Sequence, residues 1–329
     1  MNSIFLKFAV SFATIFVAIS LPVQTQAADW KPEKNIEIVS GAPGSGYDRY
    51  SRTMQRIWQM QKIIPTTITV NNKPGGGGTI AWTYVSQHAG DGHYIAPVAV
   101  ALLTNNLTGS TPLTFHDVTP LAILGTEYAV VAVKGDSPLK RGQDLADKLK
   151  QNPGSVVFGI SPGLGTHSHI AVALIAKSVG VDARKLRTVV YAGGSEAVTA
   201  LLGGHVEAVC VTAGNMLAYF AGGQLRPLGI AGPQRSGGAL ANIPTWKEQG
   251  VDAVSSNWRG VIAPKGLNAA QIAYWDDIFA KTVRTDDWKK ELDNNSLEPL
   301  YLGSGDAVKF LEGENQRLKA ILTDLGLVK

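Results

Sequence analysis

Residues 159–163, Gly-Ile-Ser-Pro-Gly, meet the G-x-S-x-G spacing of a serine-hydrolase nucleophile elbow, and His167 and His169 follow close behind. An elbow of this kind would make Ser161 a nucleophile with an imidazole as its general base. In such a turn the N–H of the residue after the serine forms half of the oxyanion hole. Here that residue is Pro162, which has no N–H. Losing one such donor typically costs about 3 kcal/mol of transition-state stabilisation, so an exported serine hydrolase using Ser161 is the weaker reading of this stretch. The helix that follows is expected to begin only near Thr166 or His167, which leaves Ser161 on a loop. The two histidines point to different sides of a helix, and no cysteine or H-E-x-x-H pattern joins them, so no metal site is expected.

The same stretch is one of four glycine loops that each sit where a strand gives way to a helix: GAPGSGYD at 41–48, NNKPGGGGT at 71–79, SPGLGTHSH at 161–169 and YAGGSEA at 191–197. Glycine there bares backbone N–H groups, and the following helix adds its positive end, so such loops cradle anions. Four of them at strand C-termini imply a shared ligand cleft. Nucleotide motifs fail on particular residues. A dinucleotide fingerprint starting at Gly44 needs glycine where Arg49 stands, and a Walker loop spanning Gly41 to Gly46 needs Lys and then Ser or Thr, where Tyr47 and Asp48 follow. No cofactor is expected.

The elements that must carry these loops alternate along the chain. NIEIVS, TTITV, HYIAPV, SVVFGI, RTVVY, EAVCV and RPLGIA are short and apolar or β-branched. YDRYSRTMQRIWQM carries helix-period positions Tyr50, Met54, Ile57 and Trp58, and the stretches after Thr79, His167, Ser195 and Ala213 read as helical. Strand, helix, strand at this spacing implies βαβ units and parallel sheets. A last amphipathic helix places Val308, Leu311, Leu318, Leu322 and Leu325 on one face, with Gly326 as its stop. Two further strand-like segments, TEYAVVAV and SSNWRGVIAP, can carry the chain between domains. The expected division is residues 29–130 plus 258–329 as a discontinuous first domain and 131–257 as the second.

The N-terminus sets the compartment. Lys7 is followed by an apolar run, residues 8–21, of signal-peptide length and too short to span a bilayer comfortably, and small residues suit cleavage near Ala27 or Ala28. Residues 1–28 are thus expected to be a cleaved signal, giving a periplasmic protein with no stable membrane insertion. With 45% hydrophobic and 17% charged residues the remainder is of ordinary globular composition. Cys210 is the only cysteine, so no intrachain disulfide can form, and its apolar setting suits a core thiol. The net charge of +4 is spread along the chain. It mildly favours small anions, and no Lys/Arg run suggests nucleic acid.

Taken in order, the loops resemble those of the tripartite tricarboxylate transporter solute-binding proteins, the Bug family. PGSGYDRYSR is similar to the family's glycine pair followed by D-x-x-A-R, with Ser51 in place of alanine. NNKPGGGGT is similar to N-R-P-G-A-G-G-T, with Lys73 and Gly76 as departures, and DGHYI stands for D-G-Y-T. SPGLGTHSH, YAGGSEAVTALLGGHVEA, IPTWKEQG and SNWRGVIAPKGL follow in family order. The resemblance covers nearly all of the mature chain. It implies an α/β fold of two Rossmann-like domains joined by crossing strands, the type II periplasmic binding protein fold, with the ligand between them.

It also implies a site. One ligand carboxylate would meet Gly44, Ser45, Gly46 and Tyr47 of the first loop and Asn72, Pro74, Gly75 and Gly76 of the second. The ligand's other end would meet Ser161, Gly163, Thr166 and His167 and then Tyr191, Gly193 and Gly194. Asp48 is expected to order its own loop or cap the helix, since two negative charges would repel, and Arg52 one turn on is expected to partner it. Ser45, Tyr47 and His167 could favour a bulky, aromatic or multiply carboxylated solute. The expected protein is non-catalytic and monomeric. It would bind a small organic carboxylate (a di- or tricarboxylate, aromatic acid or amino acid) and deliver it to the large and small subunits of a membrane transporter. A periplasmic sensor subunit binding the same ligands is the other non-catalytic reading.

Overall fold

The computed structural model describes residues 30–328. The segment read as an export signal lies outside the described residues. The strands are β1 (Ile36–Ser40), β2 (Ile68–Asn72), β3 (Tyr94–Ala99), β4 (Val118–Lys134), β5 (Val157–Ile160), β6 (Arg187–Val190), β7 (Ala208–Thr212), β8 (Leu225–Ile230), β9 (Ser256–Pro264) and β10 (Leu302–Gly303). The helices are α1 (Gly46–Met60), α2 (Thr79–Ser86), α3 (Ala101–Leu107), α4 (Gly142–Gln151), α5 (His167–Ser178), α6 (Gly194–Leu202), α7 (Leu217–Ala221), α8 (Ala269–Arg284), α9 (Asp286–Asn294) and α10 (Ser304–Asp324).

Local chemistry explains most of these elements. Ser45 caps α1 by accepting the Asp48 N–H, and the helix-period residues Tyr50, Met54, Ile57 and Trp58 are all buried. On α10, Leu311, Leu318 and Leu322 are buried along one face, and the chain leaves the helix through Gly326 in a left-handed conformation, φ 69°. Asn268 and Gln271 form a reciprocal capping box at the start of α8.

The strand order is β2-β1-β3-β9-β4-β7-β5-β6, with β8 and β10 also pairing to β4. Parallel pairing holds within β2-β1-β3 and within β7-β5-β6. These are the parallel sheets the alternating pattern implied, and the strands that join the two groups run antiparallel. β4 pairs antiparallel with β9 over Val118 to Tyr128, and then, over Ala129 to Lys134, antiparallel with β7 and β8. β9 in turn runs antiparallel to β3. These strands enter one group directly from the other, without the helical crossover that a parallel connection needs.

Apolar side chains cover both faces of each group. Around β1 and β3, one face holds Ile38, Met54, Trp58, Trp275 and Phe279, and the other holds Trp82, Leu103, Trp258, Leu318 and Leu322. Around β5 and β7, the faces are built on Phe158, Val172 and Trp246 and on Val198, Leu201 and Val209. Helix α5 serves both groups. Its Ala171, Val172 and Ile175 face the second group, while Ile170 and Ala173 pack with the Leu318/Leu322 cluster. Cys210 is fully buried, and burial pushes its thiol pKa up. Among the described residues no helix is long and apolar enough to cross a membrane.

Trp275 ties this core together. Its ring stacks on Phe279 at 5.6 Å, lies 5.8 Å from Trp58, and its indole N–H donates to the Gly92 carbonyl at 3.0 Å. Trp275→Ala leaves a cavity and an unmatched buried carbonyl, and urea denaturation is expected to show a loss of about 3–5 kcal/mol.

Candidate functional site

Each of the four glycine loops leaves the C-terminal end of a strand and enters a helix or a 3-10 turn: β1 to α1, β2 to the turn at Gly76–Gly78 before α2, β5 to α5, and β6 to α6. The first helical N–H groups of such elements have no intrahelical acceptor. Those of Gly46 and Tyr47, of Gly76 and Gly77, of His167 and Ser168, and of Gly194 and Ser195 have no partner among the described residues.

The first two loops are held together by one carboxylate. Asp48 Oδ2 accepts from the Gly44 N–H at 2.9 Å and from Arg52 Nε at 3.0 Å, while Oδ1 accepts from Asn72 Nδ2 at 2.8 Å. Asn72 Nδ2 also donates to the Gly41 carbonyl at 2.7 Å, and its Oδ1 accepts from Arg52 Nη2 at 3.1 Å. Burial would raise the Asp48 pKa. The hydrogen bonds from Arg52, Asn72 and Gly44 hold it below the usual carboxylate range. The Gly44 N–H and the Asn72 amide are therefore engaged inside the protein, and the outward donors of the first loop are Gly46 and Tyr47.

Beneath both loops lies Trp82. Gly78 packs so closely on its indole that a Cβ there would come within 2.4 Å of the ring, and with φ at 112° the position requires glycine. The Tyr47 ring meets the same indole edge-on at 5.9 Å. Burial pushes the Tyr47 hydroxyl up to about 12, and the nearby Arg259 charge partly opposes that. Pro74, Gly75 and Gly76 are exposed on the second loop.

In the third loop Pro162 follows Ser161 through a cis bond and offers no N–H. The Thr166 hydroxyl donates to the Gly163 carbonyl at 2.7 Å, closing the loop. Neither imidazole engages the Ser161 hydroxyl: His169 Nδ1 accepts from the Gly165 N–H at 3.0 Å, and His167 Nε2 lies 3.2 Å from the Ser168 hydroxyl. Among the described residues, no three His, Cys, Asp or Glu side chains gather as a metal site.

The N-termini of α1 and α6 line one cavity of about 370 Å³, through Gly46 and Ser195, together with Arg49, Glu127, Asn215, Arg259 and Glu291. His167, Ser161 and Thr166, at the start of α5, do not line this cavity, although the charges of Glu127 and Arg259 act on the buried His167 ring. Tyr191 is turned elsewhere, its ring against Gly159 and the core around Val198 and Val209. Gly163, Gly193 and Gly194 lie on the loops without lining that cavity. A second cavity of about 340 Å³ lies between α5 and α10 and touches none of the glycine loops.

Glu127 and Arg259 were not singled out by the loop patterns. Their signal was nevertheless present: each is the one charged residue of its strand-like segment, TEYAVVAV or SSNWRGVIAP, and such residues are seldom buried unless paired. Asn215, on the turn after β7, had no such signal. It meets the α6 N-terminus, where its Oδ1 accepts from the Ser195 hydroxyl at 3.2 Å.

Two parallel β/α groups, joined by crossing strands and presenting helix N-termini at a cavity by the crossover, define the type II periplasmic binding protein fold. The chain belongs to the tripartite tricarboxylate transporter receptor family, a family of periplasmic solute-binding proteins whose model, TctC, matches residues 52–327. It is similar to a Cupriavidus necator protein, the UPF0065 protein in the gbd 5' region, at 32% identity over 94% of this chain and 93% of that one. A TctC solute-binding protein from Polaromonas, solved without ligand, superposes with TM-score 0.75 at 29% identity, over 89% of this chain and 99% of that one. The R. palustris protein Rpa4515, solved with adipate, shares the fold with TM-score 0.77 at 21% identity, over 90% of this chain and 99% of that one.

His167 is buried, and desolvation lowers its pKa from 6.5 to about 4, with Glu127 opposing and Arg259 reinforcing the shift. The unfolded chain therefore takes up a proton near pH 6.5 that the folded chain refuses until about pH 4. Stability is lost as pH falls through that window, by roughly 3 kcal/mol in all, and the loss levels off below it. Urea unfolding between pH 7 and 4 is expected to give a shallower decline for His167→Asn than for the wild type; equal slopes would refute a buried neutral imidazole.

Proposed function

We propose that this protein captures a small organic carboxylate in the cleft between two lobes, in the periplasm, and delivers it to the large and small subunits of a tripartite tricarboxylate-type membrane transporter. The observation that carries the proposal is the set of unpartnered N–H groups at the starts of α1 and α6, whose Gly46 and Ser195 line one cavity together with Arg259. Helix N-termini attract anions both by their bare donors and by the helix dipole. Charge-assisted hydrogen bonds contribute roughly 1.5–3 kcal/mol each, so a few per carboxylate give micromolar binding after ordering costs. The adipate bound by the R. palustris protein of the same fold, a linear dicarboxylate, supports a ligand with an acid at each end.

The lobes are residues 29–130 with 258–329, and residues 131–257. β4 and β9 act as the hinge, and closure buries the ligand between the loops of the first lobe and those of the second. No catalytic step is assigned to Ser161. Its hydroxyl, with the donors at the α5 N-terminus, faces the ligand's second end.

Gly163 and Gly193 allow a test that leaves the fold intact. A Cβ at Gly163 meets nothing nearer than Thr166 at 3.9 Å, one at Gly193 meets nothing within 4 Å, and neither has a positive φ. A thermal-shift screen of ligand-stripped protein against mono-, di- and tricarboxylates, aromatic acids and amino acids is expected to raise the melting temperature by several degrees for at least one acid. Gly163→Leu and Gly193→Leu should weaken that acid by about tenfold or more, equivalent to 1.4 kcal/mol, with the melting temperature of the free protein little changed. A silent screen would remove the carboxylate claim, and unaltered affinity in both variants would show that the loops carrying Gly163 and Gly193 do not close on the ligand.

A further inference from the structure

The cavity lining includes an ion pair between the crossing strands. Glu127 on β4 stands opposite Asn257 on β9, and Arg259 stands opposite Gly125. Glu127 Oε1 accepts from Asn257 Nδ2 at 2.7 Å and from Arg259 Nη2. This one oxygen takes both bonds. Oε2 has no partner among the described residues, and neither do Arg259 Nε and Nη1. Both side chains line the cavity, that of Glu127 being 9% exposed and that of Arg259 20%.

Two unmatched functions of opposite kind therefore sit side by side: an anionic acceptor and a cationic fork of donors. The guanidinium lies under the α1 N-terminus. A Cβ on Gly46 would be 3.7 Å from Nη2 and 3.9 Å from Nη1, so the absence of a side chain there lets the backbone approach the charge. A carboxylate seated at this point would meet the Arg259 donors beside Gly46, which lines the same cavity and whose N–H has no partner among the described residues. Glu127, lining the same cavity, would repel a second anion there and accept from an ammonium. The other charged groups lining the cavity, Arg49 and Glu291, again form one of each sign.

We propose that the Glu127–Arg259 pair makes this cleft select acids that carry an ammonium next to the carboxylate, amino acids in zwitterionic form, over the same acids without the amino group. The proposal rests on the carboxylate reading above and narrows its ligand class. A buried pair that served only to pin β4 to β9 would leave such discrimination absent. Breaking such a pair by removing the charge of one member leaves the other buried and uncompensated, so the wild-type comparison is decisive and the variant is the second measurement.

Isothermal titration of the ligand-stripped full mature chain compares matched pairs: succinate with L-aspartate, glutarate with L-glutamate, adipate with L-2-aminoadipate, and 3-phenylpropionate with L-phenylalanine. In at least one pair the amino acid is expected to bind about tenfold tighter or more, the scale of one charge-assisted hydrogen bond. Glu127→Gln places an amide where Oε2 or Oε1 stood, and is expected to narrow that ratio to about threefold or less. A ratio below tenfold in every pair, with the plain acids binding, overturns the proposal and leaves the carboxylate reading standing. If no acid of either kind binds, both fall. A ratio that survives Glu127→Gln intact in a folded variant overturns the role given to Glu127.

Discussion

The structure depends on one strand. β4 is 17 residues long, and its two halves are hydrogen-bonded to different neighbours: β9 and β10 over the first part, β7 and β8 over the last. Because every N–H and C=O of a buried strand must find a partner, β4 cannot belong to one group alone. It commits both groups to a shared line, and the cavity opens where that line changes partners. Residues of β4 and β9 at this point face the glycine loops of both groups. That is how Glu127 and Arg259 come to lie among helix N-termini contributed by segments far apart in the chain.

Electrostatics at the crossing are arranged so that little charge is left uncompensated. Asp48 is nearly buried beside the donors of the first loop, where a bare carboxylate would compete with an incoming anion. Arg52, Asn72 and the Gly44 N–H occupy its oxygens instead, and the same bonds tie the first loop to the second. Glu127 is likewise held by Arg259 and Asn257. What remains outward-facing is mostly N–H, which is the character expected of a seat for acids. His167 adds no charge of its own, because burial keeps the ring neutral at ordinary pH.

The G-x-S-x-G pattern shows how a local match can mislead and how a second residue in the same window corrects it. Spacing alone would place a nucleophile at Ser161. Proline at the next position removes the donor that acyl chemistry needs, and in the folded protein both nearby imidazoles are turned to other partners, Gly165 and Ser168. The glycines that complete the pattern serve the turn into α5, where Thr166 closes the loop through the Gly163 carbonyl.

Much of this protein was written into short windows of sequence. Periodicity placed α1 and α10, β-branched runs placed the short strands, and glycine after each strand placed the loops, because helix faces, strand alternation and tight turns are set by neighbours a few residues apart. The separation of Asp48 from Arg52, one helical turn, was enough to pair them. The direction of the crossing strands was not legible, since antiparallel entry depends on which group each strand joins. Nor was the role of Trp82, which supports two loops through contacts with Tyr47 and Gly78. Glu127 and Arg259 lie 132 residues apart. Their charges stood out in the sequence, but only the register of β4 on β9 could bring them together, because strand pairing across such a distance is fixed by the packing of the whole core and by no local spacing.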